Sequence, residues 1–562
     1  MTELVRDQVA ALIVAGLHTA QEQGALPEFE TPAVTVERPR QLDHGDYASP
    51  VCLPLAKAAK MPPRQIAAQV VEHIPPSPFV GKIEVAGPGY INLTLNANWL
   101  TAQVEAILDA GESFGNLELG RGQRCQVEFV SANPTGPLHA GSVRNAVIGD
   151  ALASVLAAAG FEVEREYYVN DAGSQVRHFG ESVYARYAQA LGQDEPFPED
   201  GYRGHYVVEM GREMARQHGD RYLNLPRREA VRALGREGIA RVLNEMRQNL
   251  ADLGVEFDTW FHEKSLYESG LFDRMLRVLR NKGHIVERDY ATWFTSPDLD
   301  ADAVVIRSPQ IIPEPDERPT YLASDIAYAW DKLVERGFDK AIYVWGADHH
   351  GDAPRVKAAV RALGLDPDRV VIILYQLVSL KRGGVEVRMS KRAGEFITLR
   401  ELLDEVGPDP IRFTLLTCTV DSAMDFDLEL AVEQSDKNPV FYVQYAHARI
   451  ASILRHAVDL GWDVDAAGDA SLLTHPSELA LIRKMLELPE IVALAATQMA
   501  PHHLTFYAKE LAAVFSAFYR DCHVVVPEEP ERAQARLMLT RAARLTLART
   551  LGLLGVSAPE RM

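Results

Sequence analysis

The sequence predicts a multidomain α/β protein, with an N-terminal α/β unit, a doubly wound parallel sheet and a C-terminal all-α bundle. Three observations predict it. Strand-like apolar runs at 126–130, 163–169, 341–345 and 370–374 alternate with helical patterns at 144–159 and 353–362, the rhythm of βαβ units. A charged, mostly helical stretch at about 180–300 separates the two halves and reads as an insertion. Beyond about residue 430, one Leu- and Ala-rich helical pattern follows another.

Residues 1–115 make the first unit, with an opening amphipathic helix, a loop at 42–47 and a strand-like turn at 85–93. Glu3 and Asp7 among its first residues suit a helix and not a secretory signal. Gly115 to Gly122 reads as a linker. The central unit spans 120–378, and the helix after its first strand carries Val147, Ile148, Leu152, Val155 and Leu156 at the spacing of a buried face. The Val/Ile run at 370–374 suits a parallel strand covered on both sides. Ligands of such sheets bind at the strands' carboxyl ends. A connecting segment follows at 379–430, then the helical domain at 431–562.

Composition narrows the class. A net charge of −20 argues against a general nucleic-acid coating protein, so any polyanion has to be held on local basic surfaces. No apolar run nears the roughly 18 residues of a membrane span. Cys52, Cys125, Cys418 and Cys522 form no CxxC pair, which points to reduced thiols in a cytoplasm and away from structural zinc.

Two motifs carry chemistry. Ser131-Ala132-Asn133-Pro134-Thr135-Gly136-Pro137-Leu138-His139-Ala140-Gly141-Ser142 leads from a strand to a helix, and such a turn builds an anion site from backbone N–H groups and the helix dipole. Val387-Arg388-Met389-Ser390-Lys391-Arg392, with Gly383, Gly384 and Gly394 around it, predicts a basic loop able to open and close. Alone, the first is an ordinary βα turn with Ser142 as a cap, and the second a solvated basic run. Together, in this order, they resemble the His-x-Gly-His and Lys-Met-Ser-Lys signatures of class I aminoacyl-tRNA synthetases. Longer stretches narrow the resemblance to the arginyl-tRNA synthetases: Tyr-Val-Asn-Asp-Ala-Gly-Ser-Gln at 168–175, Tyr-Leu-Ala-Ser-Asp-Ile-Ala-Tyr at 321–328, Trp-Gly-Ala-Asp-His-His-Gly at 345–351, and the stretches 438–449 and 554–562.

The resemblance implies a Rossmann-like class I catalytic domain, an N-terminal RNA-binding domain and an anticodon-binding bundle. It implies an arginine–tRNA ligase: ATP and L-arginine give arginyl-adenylate and pyrophosphate, and arginine then moves to the terminal adenosine of tRNA(Arg). The carboxylate attacks the α-phosphate in line, so catalysis rests on positioning and charge stabilisation. The implied ATP site comprises Ala132, Asn133, Pro134, Thr135, Gly136, Pro137, His139, Gly141, Ser142, Gly346, Gln376, Met389, Ser390 and Lys391. His139, Gly141, Ser142, Arg388 and Lys391 are the implied catalytic group, the basic loop clamping pyrophosphate in the transition state. Mg²⁺ travels with ATP, and no tightly bound cofactor or protein metal site is implied.

For arginine the resemblance implies Ser131, Asn133, Ser142, Tyr321, Asp325, Asp348 and His349, with Glu128 as a second acid at the strand end. A guanidinium is a planar fork of donors, so its selection needs rigid carboxylates. On the residues alone, Asp325 reads as the N-cap of a helical run at 326–334. The sequence departs from the family pattern twice: Ser142 stands for the second His, and Arg388 for the first Lys. Those departures leave a catalytically weakened, tRNA-binding or regulatory paralogue as the alternative; a small nucleotidyltransferase fails on length.

For tRNA the implied contacts are Asn438, Tyr442, Gln444, Arg449, Arg541 and Arg544. Arg532, Arg536, Arg541, Arg544 and Arg549 form a stripe, with Phe506, Tyr507, Phe518 and Tyr519 mostly core and one or two able to stack on bases. A monomeric cytoplasmic protein is expected. The family generally activates its amino acid only with tRNA bound, and the stretch 397–403 offers a route from the basic loop to the helical domain.

Overall fold

The structure, a computed structural model, describes residues 4–39, 41–312, 318–387 and 397–562. Helix α1 (Val5–Glu22) buries Val5, Val9, Ile13 and Leu17 as one stripe. It packs with α2 (Cys52–Ala59) and α3 (Pro63–His73) beside an antiparallel sheet. That sheet contains β1 (Tyr47–Ser49), β2 (Val80–Ala86) and β3 (Tyr90–Leu95) in the order β1-β3-β2. Gly89, in the β2–β3 turn, has φ +141° and lies so near Pro63 that a Cβ would sit 2.7 Å from the Pro63 Cβ. Helix α4 (Ala97–Ala110) is capped by Asn96, whose Oδ1 accepts from the N–H groups of Asn98 and Trp99.

The central sheet is parallel. β4 (Arg124–Glu128), β5 (Glu162–Val169), β6 (Thr259–His262), β10 (Lys340–Gly346) and β11 (Val370–Tyr375) lie in the order β11-β10-β4-β5-β6. The order reverses between β4 and β10, which makes that crevice the switch point. Helix α5 (Ala140–Ala158) joins β4 to β5. Gly149 lets it press on the sheet, since a Cβ there would meet Phe129 at 2.2 Å. Three insertion helices follow β5: α6 (Ser174–Ala190), α7 (His205–His218) and α8 (Arg227–Asp252).

The expected helical stretch at 180–300 is therefore only partly helical. After α8 the chain returns as β6, an edge strand of the main sheet, and continues through α9 (Lys264–Glu268) and α10 (Leu271–Asn281). It then forms an antiparallel sheet of β7 (Ile285–Arg288), β8 (Ala291–Phe294) and β9 (Ala303–Ile306). The β7–β8 turn places Asp289 and Tyr290 at φ 51° and 58°, without the glycine that usually announces such a hairpin. Two boundaries near the first motif also differ. β4 stops at Glu128 because Val130 and Ser131 turn to positive φ, and α5 begins at Ala140 and not at 144.

Helix α11 (Tyr321–Trp330) runs on into a π-helical turn (Asp331–Glu335), and α12 (Ala353–Ala362) joins β10 to β11. A small sheet of β12 (Val378–Arg382), β13 (Val385–Glu386) and β14 (Met424–Asp427) continues the chain, with α13 (Leu399–Val406), α14 (Pro408–Leu415) and α15 (Leu428–Val432) around it. The last layer is helical: α16 (Pro439–Asp459), α17 (Pro476–Met485), α18 (Leu488–Gln498), α19 (His502–Asp521) and α20 (Pro530–Leu553).

Buried ionic contacts lock these layers together. Arg412 of α14 has no exposed side-chain surface. Its Nε donates to Leu554 O at 3.0 Å, its Nη1 to the carbonyls of Leu253 and Gly254, and its Nη2 to Asp150 of α5. The first unit meets the helical layer through Arg38–Glu490 at 2.9 Å and Arg483–Asp46 at 2.6 Å. Helix α20 ends in a Schellman turn, with Val556 N bonded to Leu551 O and Gly555 N to Gly552 O.

Gly555 has φ +65°, and a Cβ on it would lie 2.0 Å from Arg412 Nη2. Gly552, one turn earlier, faces open space. Gly555→Ala should lower the thermal midpoint, by disturbing a buried charge pair whose rupture costs about 3–5 kcal/mol. Gly552→Ala should raise it slightly, by the roughly 0.5–1 kcal/mol of helix propensity. Differential scanning calorimetry of the two variants checks both signs.

Candidate active site at the carboxyl ends of the parallel strands

The site begins where β4 stops. Val130 N–H donates to Asn145 Oδ1 at 2.6 Å, and Asn145 Nδ2 donates to Val344 O at 2.8 Å, so one buried amide spans the ends of β4 and β10. Val130 (φ 66°) and Ser131 (φ 43°) are both left-handed. A β-branched residue there is strained by about 1–3 kcal/mol, and such strain gathers at functional sites. Local contacts hold the turn. Ser131 Oγ donates to Glu128 Oε1 at 2.6 Å and accepts from Tyr168 N–H at 3.1 Å. Farther along, Tyr167 OH donates to Ala132 O, and Tyr206 OH donates to Thr135 O. Asn133 is exposed, and Gly136 leaves room for the Tyr206 hydroxyl, 3.0 Å from where a Cβ would be.

His139 occupies the N-cap position of α5 with extended backbone. Its imidazole lies over Gly141, where a Cβ would meet Nδ1 at 2.9 Å. Ser142 is the third helical residue, not the cap, and its N–H donates to His139 O at 2.8 Å. The stretch after the basic loop is clipped to this turn: Ala140 N–H donates to Ile397 O at 2.9 Å and Leu399 N–H to Leu138 O at 2.7 Å. Arg388, Met389, Ser390 and Lys391 lie outside the described residues. Gln376 follows β11, its N–H bonded to Val420 O and its carbonyl accepting from Arg144 Nη1.

Across the crevice, α11 is capped by Thr320, so Asp325 is an interior helical residue and the N-cap alternative falls. Tyr321 and Asp325 stand one turn apart on one face. A cleft of about 190 Å³ opens beside Tyr321, lined by Asn170, Gln175, Glu263, Tyr267, Arg307 and Tyr321; Asp325 is not in its lining. Gln175 Nε2 donates to Tyr321 OH at 3.2 Å. Glu263, just after β6, accepts from Ser324 Oγ at 2.6 Å through Oε1. Its Oε2 is buried with no hydrogen-bond partner among the described residues by distance and angle, while the Tyr168 side chain lies close enough to favour the charged form. Burial, then Glu128 and Glu263, push the Asp325 carboxyl well above the usual range, and burial raises that of Glu263 too.

Glu128 has both oxygens engaged inside the protein, one by Ser131 Oγ and one by Lys332 Nζ at 3.4 Å. It supports the turn, and the acid that lines the cleft is Glu263, which lay hidden in a stretch read as a helical insertion. Gly346 ends β10, with Asp348 and His349 in the short turn beyond it. Both are exposed, and His349 pairs with Asp352 at 3.5 Å and Asp348 at 3.9 Å. The start of α5 at His139 and the cleft lined by Glu263 are thus two features of this end of the sheet.

Comparison with known proteins agrees with this geometry. Residues 5–95 match the model of the arginyl tRNA synthetase N terminal domain, 103–411 that of the class I (R) tRNA synthetase catalytic domain, and 443–562 that of the DALR anticodon binding domain. The arginine–tRNA ligase of Dehalococcoides mccartyi is 46% identical over 560 residues, 99% of each chain. That of Heliobacterium modesticaldum is 46% identical over 568 residues, covering 100% of this chain and 99% of its own. The chain belongs to the arginyl-tRNA synthetases. The Thermus thermophilus arginyl-tRNA synthetase superposes with a TM-score of 0.78 at 25% identity, covering 100% of both chains.

In this arginyl-tRNA synthetase, two residues expected to meet tRNA are structural. Asn438 and Gln444 are buried: the Asn438 amide caps α16 and donates to Ala431 O and Glu433 O, and Gln444 Nε2 donates to Asp409 and Ser557. Their amides are committed to the domain junction. Tyr442 is half-buried. The Arg449 guanidinium lies 4.7 Å from the Tyr445 ring centre and 5.9 Å from that of Tyr519. Of the aromatic candidates, Tyr507 and Phe518 are core, while Phe506 and Tyr519 are exposed. Arg541 and Arg544 line a groove of about 700 Å³ on the helical domain. The arginine stripe is largely consumed internally: Arg532 pairs with Glu529, Arg536 with Glu478, Arg541 with Asp465, Arg544 with Glu560, and Arg549 bonds Asn116.

Gly141→Ala separates chemistry from folding. Alanine is the better helix former by about 1 kcal/mol, so the thermal midpoint should not fall. The new methyl has to displace the His139 imidazole, and arginine transfer should drop at least about tenfold, or 1.4 kcal/mol. Steady-state aminoacylation beside a melt checks the pair of outcomes.

Proposed function

We propose that the crevice binds ATP and L-arginine side by side, with the Asn133–Ser142 turn on the nucleotide and Tyr321, Asp325 and Glu263 on the guanidinium. As an arginine–tRNA ligase, the enzyme joins the substrate carboxylate to the α-phosphate and then passes arginine to tRNA. His139 and the N–H groups opening α5 steady the phosphates, and Gly141 gives the imidazole its place. Ser142 serves as a working substitute for a second histidine. Gly346 and Gln376 border the nucleotide side, Asp348 and His349 border the arginine side, and Arg388, Met389, Ser390 and Lys391 clamp the leaving pyrophosphate. Mg²⁺ enters with ATP as the counter-ion of its phosphates.

The observation that carries this reading is buried acid at the cleft. Glu263 lines it, with Arg307 also in the lining, and Asp325 is near enough to Glu263 that burial and their mutual repulsion hold the Asp325 pKa up. A cation of fixed fork geometry completes that arrangement. Nothing in the site or its relatives favours a weakened paralogue. We further read 1–115 and 431–562 as tRNA-binding units flanking the catalytic unit at 120–378 and its connector at 379–430, in a monomeric cytoplasmic enzyme. Because Ile397 and Leu399 are bonded to the His139 turn, tRNA on the helical domain has a route by which to organise the site; arginine activation is then tRNA-dependent.

Arginine transfer to total tRNA tests the activity, and Asp325→Asn tests the site. Losing one partner of a buried charge pair costs about 3–5 kcal/mol, so KM for arginine should rise at least a hundredfold while KM for ATP stays nearly constant. The sign for pH follows from the raised pKa. The folded carboxyl holds its proton above the unfolded pKa of about 3.9, so ionising it costs stability as pH rises. Asp325→Asn should therefore melt no lower than wild type at neutral pH. In the wild type, arginine affinity should strengthen as pH rises and the carboxyls ionise. An unchanged KM for arginine in the variant would move the specificity site elsewhere.

A further inference from the structure

Lys332 stands in the π-helical turn Asp331–Glu335, directly beyond the helix that carries Tyr321 and Asp325. Its side chain has no exposed surface. The ammonium sits 3.4 Å from Glu128 Oε2, 3.8 Å from the ring centre of Tyr328 and 3.6 Å from that of Tyr343. An ammonium is costly to bury, and aromatic faces offset that cost only in part. The widened turn rotates the residues after Trp330 relative to a regular helix, and such bulges gather at functional sites.

Lys332 touches neither the cleft nor the His139 turn, yet a short chain of contacts leads from it to both. It meets one oxygen of Glu128; the other oxygen accepts from Ser131 Oγ, and Ser131 Oγ in turn accepts from Tyr168 N–H. Ser131 and Val130 are the two left-handed residues from which the nucleotide turn starts. We propose that Lys332 is a positioning residue for arginine activation: its ammonium holds Glu128 as an aligned carboxylate, and Glu128 holds the strained turn at Val130–Ser131 in the reactive geometry. This rests on the reading of the crevice given above.

Charged and titratable groups face Lys332 from every neighbouring element: Glu128 of β4, Glu166 of β5, Tyr343 of β10, Tyr328 and Asp325 of α11, Asp331 of its own turn and Arg336 just after it. Burial lowers its pKa to about 8, against the pull of Glu128 and Glu166. Aminoacylation by the wild type should accordingly fall on the alkaline side of about pH 8 as the ammonium deprotonates.

Three variants test the role. Lys332→Met should lower kcat at least tenfold at pH 7.5, with KM for arginine and ATP within threefold of wild type. Lys332→Arg, which stays charged, should keep activity within tenfold and lose the alkaline fall. Glu128→Gln combined with Lys332→Met removes both charges; it should melt near wild type but remain as slow as Lys332→Met. That last result separates positioning from support, because a merely structural pair would regain activity with stability. A fully active Lys332→Met, or a double variant with wild-type kcat, would overturn the inference alone. A wild type that transfers no arginine would overturn the reading of the crevice and this inference with it.

Discussion

The buried guanidinium of Arg412 is the contact on which the rest of the architecture depends. Its donors reach the end of the insertion helix α8, the end of the last helix α20 and Asp150 in the middle of α5. Arg144, on the same helix α5, does the equivalent for the connector: its Nη atoms donate to the carbonyls of Gln376, Thr419 and Ser422 and to Cys418 Sγ. A planar fork of N–H groups suits such bridging because several acceptors can be held in fixed directions at once. The consequence is functional. The helix that begins at His139 is tied through Asp150 and Arg144 to the insertion, the connector and the helical layer, so the position of His139 depends on more than its local turn.

The same economy of charge explains an acidic protein with an RNA substrate. Most of the C-terminal arginines neutralise acids of their own domain, while Arg449 lies against the exposed rings of Tyr445 and Tyr519. In the crevice, buried acids set the tone. Burial and mutual repulsion raise the pKa of the Asp325 carboxyl beside Glu263, as the Val130–Ser131 turn is strained in backbone. Packing around them sustains both.

Much of this was legible in the residues. The Val/Ile run at 370–374 marked β11 because a parallel strand covered on both faces needs no polar alternation. The His139 and Tyr321–Asp325 motifs are local in sequence, and each sits where its local pattern put it, one at the start of α5 and one in α11. What stayed hidden depends on long-range contact. Glu263 follows a four-residue strand too short to show periodicity, in a stretch dominated by charged helices. The left-handed valine is imposed by Asn145 and Glu128, neither of which marks a turn. Asn438 and Gln444 carry the family's pattern for reasons of domain packing, and polar residue type alone does not distinguish an amide facing RNA from one buried against Ser557.

The central claim is that buried carboxylates select a cation of one shape. It is tested most directly by comparing kcat/KM for L-arginine and L-citrulline in tRNA aminoacylation. Citrulline keeps the length and planarity of the side chain and replaces the guanidinium with a neutral urea. A site built around hydrogen-bonded charge rejects such an analogue by about 10⁴-fold or more. Discrimination of that order is the predicted result; citrulline transferred within about tenfold of arginine would contradict the account.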